Sequence, residues 1–270
     1  MASNRIGFNQ FLKKIQGEKY LNILIDSNIL IARFDENHSN YEVVKEFLDL
    51  LDEVSEVTFF TTVTTKAEFL DYQRRRFLTE GLFSLISREP PARQLRPESK
   101  QVIIQIKMRR GKRITDEEKR STKYDEMYDS SVNYLRDSDL KEIKKQFRAR
   151  DVQQEVGWLN ICNLFLKQNM SEQEKLLDEF CNYLSNHNET QAHLFTNQKI
   201  DWSRATDLSA TTGMGYSDAL ILNIFSETKM KYIITLDFDL VYAVSISSKE
   251  KFVVLPDSRL GAMKAILKKI

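Results

Sequence analysis

The 270-residue sequence predicts an α/β fold: three layers, α/β/α, built on a central parallel sheet of about four or five strands, with a mainly helical insertion. Three observations predict it. Short apolar runs rich in β-branched and aromatic residues stand at 20–25, 57–61, 231–236 and 251–255. Amphipathic helical patterns alternate with them, the mark of right-handed parallel strand–helix units. The alternation is suspended from 88 to 212, a stretch too long for a structureless loop and patterned as helices. The expected organisation is a discontinuous core, 1–87 with 213–270, and a helical insertion, 88–212.

Taken in order, the first twenty residues lack an apolar signal core and read as a short amphipathic helix with Phe8, Phe11, Leu12 and Ile15 on one side. Residues 20–25 form a buried strand that ends abruptly in Asp26, Ser27 and Asn28. Residues 29–34 make a helical turn. Ser39 starts a helix whose Val43, Val44, Phe47, Leu48, Leu50 and Leu51 recur at helical spacing. Residues 57–61, VTFFT, are the second strand, and Thr62 or Thr64 caps the helix over 66–86. Prolines at 90, 91 and 97 break the chain. Helical patterns follow at 98–108, 115–135, 140–167 and 171–186, with no convincing strand between 88 and 202. Residues 186–197 are polar and read as a mobile loop. From Gly213 the alternation resumes. A helix over 216–226 is capped by Ser217, a strand over 231–236 ends at Asp237, and a helix covers 238–246. A strand over 251–255 is closed by Pro256, and a basic amphipathic helix runs over 258–269.

Composition excludes several classes. At 41% apolar and 29% charged residues, the chain is neither disordered nor fibrous in bias. No run approaches the roughly 18 apolar residues of a membrane span. Cys162 and Cys181 lack metal-type spacing and sit in apolar helical patterns, which reads as buried thiols in a reducing cytoplasm. No glycine-rich phosphate loop occurs. A net charge of +1 selects no partner, but its distribution does.

Four carboxylates occupy telling places. Asp26 ends the first strand, Glu68 sits in the first turns after the second, Asp218 opens the 216–226 helix, and Asp237 ends the third strand. Asp239 follows two residues later. In a parallel sheet, strand C-termini and the following helix N-termini share one edge, where sites are built. Acids crowded there repel, and with no matching basic residues a divalent cation is the natural partner; oxygen ligands favour Mg²⁺ or Mn²⁺ over zinc. Each acid also has a plainer reading. Asp26 or Ser27 caps a helix, Asp239 caps the next one, Asp218 favours a helix dipole, and Glu68 is a solvated helical residue.

The pieces Ile25-Asp26-Ser27-Asn28, Thr65-Lys66-Ala67-Glu68-Phe69, Ser217-Asp218-Ala219 and Thr235-Leu236-Asp237-Phe238-Asp239-Leu240 stand in the order found in PIN-domain nucleases. The chain resembles that family, the FEN-like fold known from toxin ribonucleases, over about half its length. The resemblance implies Asp26, Glu68, Asp218 and Asp237 as an acidic Mg²⁺ or Mn²⁺ site for phosphodiester hydrolysis. Asp26 and Asp237 would be direct or near-direct ligands, Asp218 would bind the same or a second ion, and Glu68 would either bind the metal or orient a metal-bound water. Asn28, Thr235 and Asp239 would support them, and Ser27 and Asn28 would bond Asp26 or a substrate phosphate. It further implies RNA rather than DNA as substrate, with a DNA or flap-type nuclease and a non-cleaving scaffold as alternatives. An inhibitory antitoxin-like protein or a second copy is the implied regulator. The family's small toxins have no counterpart of 88–212.

Between Arg88 and Arg150, Lys and Arg outnumber Asp and Glu by 18 to 11. Arg109, Arg110, Lys112, Arg113, Lys144, Lys145 and Arg148, with Arg74 and Arg75, are candidates for phosphate contact. The alternative for each is a solvated helix face. Tyr124, Tyr128 and Tyr134 could stack on bases, and at helical spacing they could equally be core.

Overall fold

Leu21, Ile23, Leu24 and Ile25 are buried, and the strand that carries them is central in the sheet, with a paired strand on each side. The structure, a computed structural model, describes residues 4–87, 95–124, 128–152, 155–185, 188–196, 202–247 and 250–261. Contacts divide the chain into two compact units, Met1–Phe69 with Leu177–Ile270, and Leu70–Leu176.

The first unit carries a six-stranded, all-parallel sheet flanked by helices. Its strands are β1 (Arg5–Gly7), β2 (Tyr20–Ile25), β3 (Glu56–Thr61), β4 (Asn182–Tyr183), β5 (Tyr232–Ile234) and β6 (Phe252–Leu255). Their order is β1-β6-β5-β2-β3-β4. From β2 the chain moves outward through β3 to β4, then returns to place β5 on the other side of β2. The direction of winding therefore reverses between β2 and β5, the switch point at which open α/β sheets form their crevice.

The expected strands are present, and two more are added. β1 pairs with β6 through Arg5↔Val253 to Gly7↔Leu255, and β4 pairs with β3 through Phe60↔Asn182 and Thr61↔Tyr183. The second corrects the reading that 88–202 holds no strand.

The helices of this unit start with α1 (Phe8–Ile15), α2 (Ser27–Phe34) and α3 (Tyr41–Val54). α1 buries Phe8, Phe11 and Ile15, as its spacing requires. Asn40, not Ser39, stands at the start of α3; Val44, Phe47, Leu48 and Leu51 are buried, while Val43 and Leu50 stay exposed. α4 (Val63–Ser87) begins after Thr62, whose hydroxyl accepts from the Thr65 amide at 3.1 Å, so Thr62 rather than Thr64 caps it. α5 (Pro97–Tyr124), α6 (Asp137–Lys144), α7 (Trp158–Phe165) and α8 (Lys167–Phe180) follow.

α9 (Trp202–Thr212), α10 (Tyr216–Glu227) and α11 (Phe238–Ser247) complete the first unit. Gly213 ends α9 in the left-handed region (φ 75°), donating to the Ser209 carbonyl, and this turn aims the start of α10. Gly215, not Ser217, occupies the N-cap of α10; Ser217 lies within the helix. The polar stretch before α9 is not wholly loop. Glu189–Leu194 forms a 3₁₀ helix, and Phe195 bridges to Thr228. Of the expected C-terminal helix, only 258–261 falls within the described residues, where 257–261 are helical.

The second unit has its own core of Leu78, Leu82, Ile103, Ile106, Leu135, Leu140, Ile143, Trp158 and Ile161. Its helices differ in extent from the expected ones. The 98–108 pattern and much of 115–135 merge into the single α5, while 140–167 divides into α6 and α7 around a turn with a Val152↔Glu155 bridge. Cys181 is buried, with its thiol pushed up to about 12 by burial; Cys162 is only partly buried, and both are free. No helix among the described residues is long and apolar enough to cross a membrane.

Candidate functional site

The carboxyl ends of β2, β3 and β5 are adjacent, so Asp26, Glu68 and Asp237 arrive at one edge on three neighbouring strands or the helix that follows. Asp26 is 2% exposed and is the N-cap of α2. The plainer reading of this residue is thus correct as far as it goes, but capping uses one carboxylate oxygen. Oδ1 accepts from the Ser27 amide at 2.7 Å, while Oδ2 accepts from Asn28 Nδ2 at 2.7 Å and Thr235 Oγ1 at 2.6 Å.

A side-chain network ties β2 to β5 at this point. Asn28 Nδ2 also donates to Thr235 Oγ1 at 3.2 Å, and Asn28 Oδ1 accepts from the Leu236 amide at 2.9 Å. Thr235 Oγ1 accepts from the Asp237 amide at 2.9 Å. Ser27 Oγ donates to Glu68 Oε2 at 2.8 Å, orienting the one acid that comes from α4. The expected supporting residues Ser27, Asn28 and Thr235 therefore all hold acids. Asp237, rather than Asp239, caps α11, its Oδ1 accepting from the amides of Asp239 (2.6 Å) and Leu240 (3.4 Å). Asp239 is exposed in the first turn.

Electrostatics shows that the acids sense one another. Burial pushes Asp26 up to about 7; the Thr235 hydroxyl and Ser27 amide oppose this, and the charges of Asp237 and Glu68 add to it. Burial, then Asp237, Glu68 and Asp239, push Asp218 up to about 6. Asp239 is raised by burial and by Asp237. No described residue donates a side-chain hydrogen bond to Asp218.

The donor set is all oxygen, with an excess of negative charge, which fits a hard divalent cation. Among the described residues no three Asp, Glu, His or Cys side chains form a ready ligand set. Hydrogen bonds from Asn28 and Thr235 hold one oxygen of Asp26.

The basic candidates fare differently. Arg74 binds Asp71 and Asp137, and Arg75 pairs with Asp71. Arg109 pairs with Glu142, and Arg113 with the buried Asp139 at 2.7 Å. Arg110 donates to the Asn133 carbonyl and lies over the Phe83 ring. These five hold the second unit together. Lys112, Lys144, Lys145 and Arg148 remain exposed. Tyr134 is core, edge-on to Tyr72, and Tyr128 bonds Asn133; the side chain of Tyr124 lies outside the described residues.

Sequence reasoning missed Arg259. It stands in the first turn of the helix that follows β6, its Nη1 donating to the Leu236 carbonyl next to Asp237. The available signal was its place just past a strand end, on the edge where the acids lie.

Comparison with protein-family models, curated proteins and solved structures finds no match to this chain.

Proposed function

We propose that this protein is a metal-dependent nuclease of the PIN type that hydrolyses phosphodiester bonds, with RNA as the favoured substrate. The observation that carries the reading is the gathering of Asp26, Glu68, Asp218 and Asp237 at the switch-point edge, where burial and mutual repulsion raise Asp26 and Asp218. Strongly perturbed acids in a crevice mark a site whose charge is completed by something bound.

Asp26, Asp218 and Asp237, with Glu68, are the residues that would hold Mg²⁺ or Mn²⁺. A divalent cation in such a site supplies charge neutralisation at the phosphate and a lowered pKa for the attacking water. The protein's own part is positional. Thr235 and Asn28 fix the Asp26 carboxylate, and Asn28 also clamps the Leu236 amide so that the two strand tips keep their spacing. Ser27 holds Glu68. The N-termini of α2, α10 and α11 open at this edge and favour the negative charge of substrate. The exposed Lys112, Lys144, Lys145 and Arg148 offer salt-dependent phosphate contact.

The test is cleavage of matched single-stranded RNA and branched DNA by the purified chain in Mn²⁺, beside Asp26→Asn and Asp237→Asn. Wild-type cleavage lost in both folded variants supports the reading, and the preferred substrate decides RNA or DNA. Full activity in both variants sinks it. Affinity for nucleic acid without cleavage or metal binding would leave a scaffold instead. A toxin-like role, restrained by an antitoxin-like protein or a second copy, goes with the same proposal.

A further inference from the structure

Around the acids, the obvious side-chain donors are already engaged. The Asn28 amide is spent on Asp26 and Thr235, the Thr235 hydroxyl on Asp26, and the Ser27 hydroxyl on Glu68. None of these can meet a phosphate without releasing a carboxylate. Arg259 is different. It follows β6, which pairs with β5 through Tyr232↔Phe252 to Ile234↔Val254, so the helical segment bearing it, from 257, starts at the same edge of the sheet. Its Nη1 is fastened to the Leu236 carbonyl, while Nη2 is buried with no hydrogen-bond partner.

A buried N–H without an acceptor costs about 1–3 kcal/mol and calls for an explanation. A purely structural pin for the Leu236 carbonyl needs a single donor; a guanidinium brings a rigid fork and a permanent charge. The Leu236 carbonyl that Nη1 holds is next in the chain to Asp237, and the guanidinium senses that carboxylate: burial lowers the Arg259 pKa and Asp237 opposes the shift. A cation with a spare donor near a repelling acid cluster suits a ligand that is itself an anion with an oxygen acceptor, and a phosphate oxygen accepts such a charge-assisted hydrogen bond.

We infer that Arg259 is a phosphate-contacting residue of the acidic edge, its Nη2 donating to a non-bridging oxygen of a nucleic-acid phosphate while Nη1 keeps the guanidinium docked on Leu236. This rests on the nuclease reading. Arg259 there offsets part of the repulsion between the acids and the backbone of the substrate, and it fixes the register of the strand against Asp237.

The experiment is a methylphosphonate scan. Single neutral linkages are placed along a short oligonucleotide of the cleaved type, and binding is followed by fluorescence anisotropy in EDTA, where no cleavage occurs. One linkage should weaken wild-type binding by about 10- to 100-fold, the value of a charge-assisted hydrogen bond. Arg259→Gln should bind the unmodified oligonucleotide as weakly as wild type binds the modified one, and be indifferent to that linkage. Arg259→Lys keeps a donor for the Leu236 carbonyl and guards against misfolding. It should melt like wild type yet lose most of the sensitivity. Undiminished sensitivity in both variants, or no sensitive linkage in wild type, overturns the inference. If wild type cleaves and Arg259→Gln matches it in affinity and KM, only the role of Arg259 falls. If wild type neither binds nor cleaves, the nuclease reading falls with it.

Discussion

The two edges of the sheet carry opposite charge and treat it differently. At the carboxyl edge, Asp26, Glu68, Asp218 and Asp237 sense one another's charge, and the hydrogen bonds to Asp26 and Glu68 and the nearby Arg259 answer it only in part. At the amino edge, Lys14, Lys229, Lys231 and Lys251 line a cavity of about 880 Å³ together with Glu18 and Glu250. There the protein answers its own charges. Lys251 Nζ donates to the carbonyls of Thr228 (2.5 Å) and Met230 (2.7 Å) and lies 4.8 Å from the Phe225 ring. Lys14 sits 3.9 Å over Phe252. The lesson is that charge alone does not mark a site. Charge that the fold has gathered and left partly unanswered does.

The largest effect should follow from neutralising charge at the carboxyl edge. Asp218→Asn should lower Mn²⁺-dependent cleavage by more than the roughly 100-fold that loss of a supporting partner costs. The melting temperature should hold or rise, because a repelling charge is gone; melting curves and single-turnover rates read the two together. Thr235→Val should cost about 10–100-fold in rate. It should also cost about 1–3 kcal/mol in stability, since Asp26 loses a buried donor. Lys251→Met makes the reverse case on the other edge. It strips two carbonyls of their donor, for about 1–3 kcal/mol by denaturant titration. Cleavage should stay within about twofold. A cleavage defect there would erase the distinction between the edges.

The comparison is sharpened further by a pH signature in metal-free protein. Asp26 and Asp218 titrate near 7 and 6 when folded and in the ordinary carboxylate range when unfolded. Between those values the folded state binds more protons, so their contribution is greatest at low pH and is lost as pH rises through about 6 and 7. Lys251 is lowered from 10.5 to about 8, chiefly by burial. There the unfolded state binds more protons, so stability rises as pH climbs from about 8 towards 10.5. Asp26→Asn should flatten the first slope only, and Lys251→Met the second only.

Much of the acidic edge was legible because Asp26 and Asp237 directly follow apolar strand-like runs, Glu68 lies in the helix after one, and Asp218 stands in the first turn of an amphipathic helix. β1 and β4 were not, since three and two residues leave no periodicity; pairing with Val253–Leu255 and Phe60–Thr61 makes them strands. The separate 98–108 and 115–135 patterns left a gap inside what is one helix, because contacts that hold α5 come from elsewhere, such as Asp139 on Arg113 and Glu142 on Arg109. The same distance hid the fate of the basic residues. Arg74 and its partner Asp137 lie 63 positions apart, and a run of arginines looks alike whether solvated or paired. Arg259 was obscured by a C-terminal pattern that reads only as a basic helix.

The most direct test is calorimetric titration of Mn²⁺ into the full chain at pH 7, in two buffers of different ionisation enthalpy. Saturable binding accompanied by proton release is the predicted result, because carboxyls raised towards neutrality must ionise to take the ion. Asp26→Asn combined with Asp218→Asn should abolish both the binding and the release. Wild-type protein that takes up no Mn²⁺, or a double variant that takes it up equally well, would contradict the account.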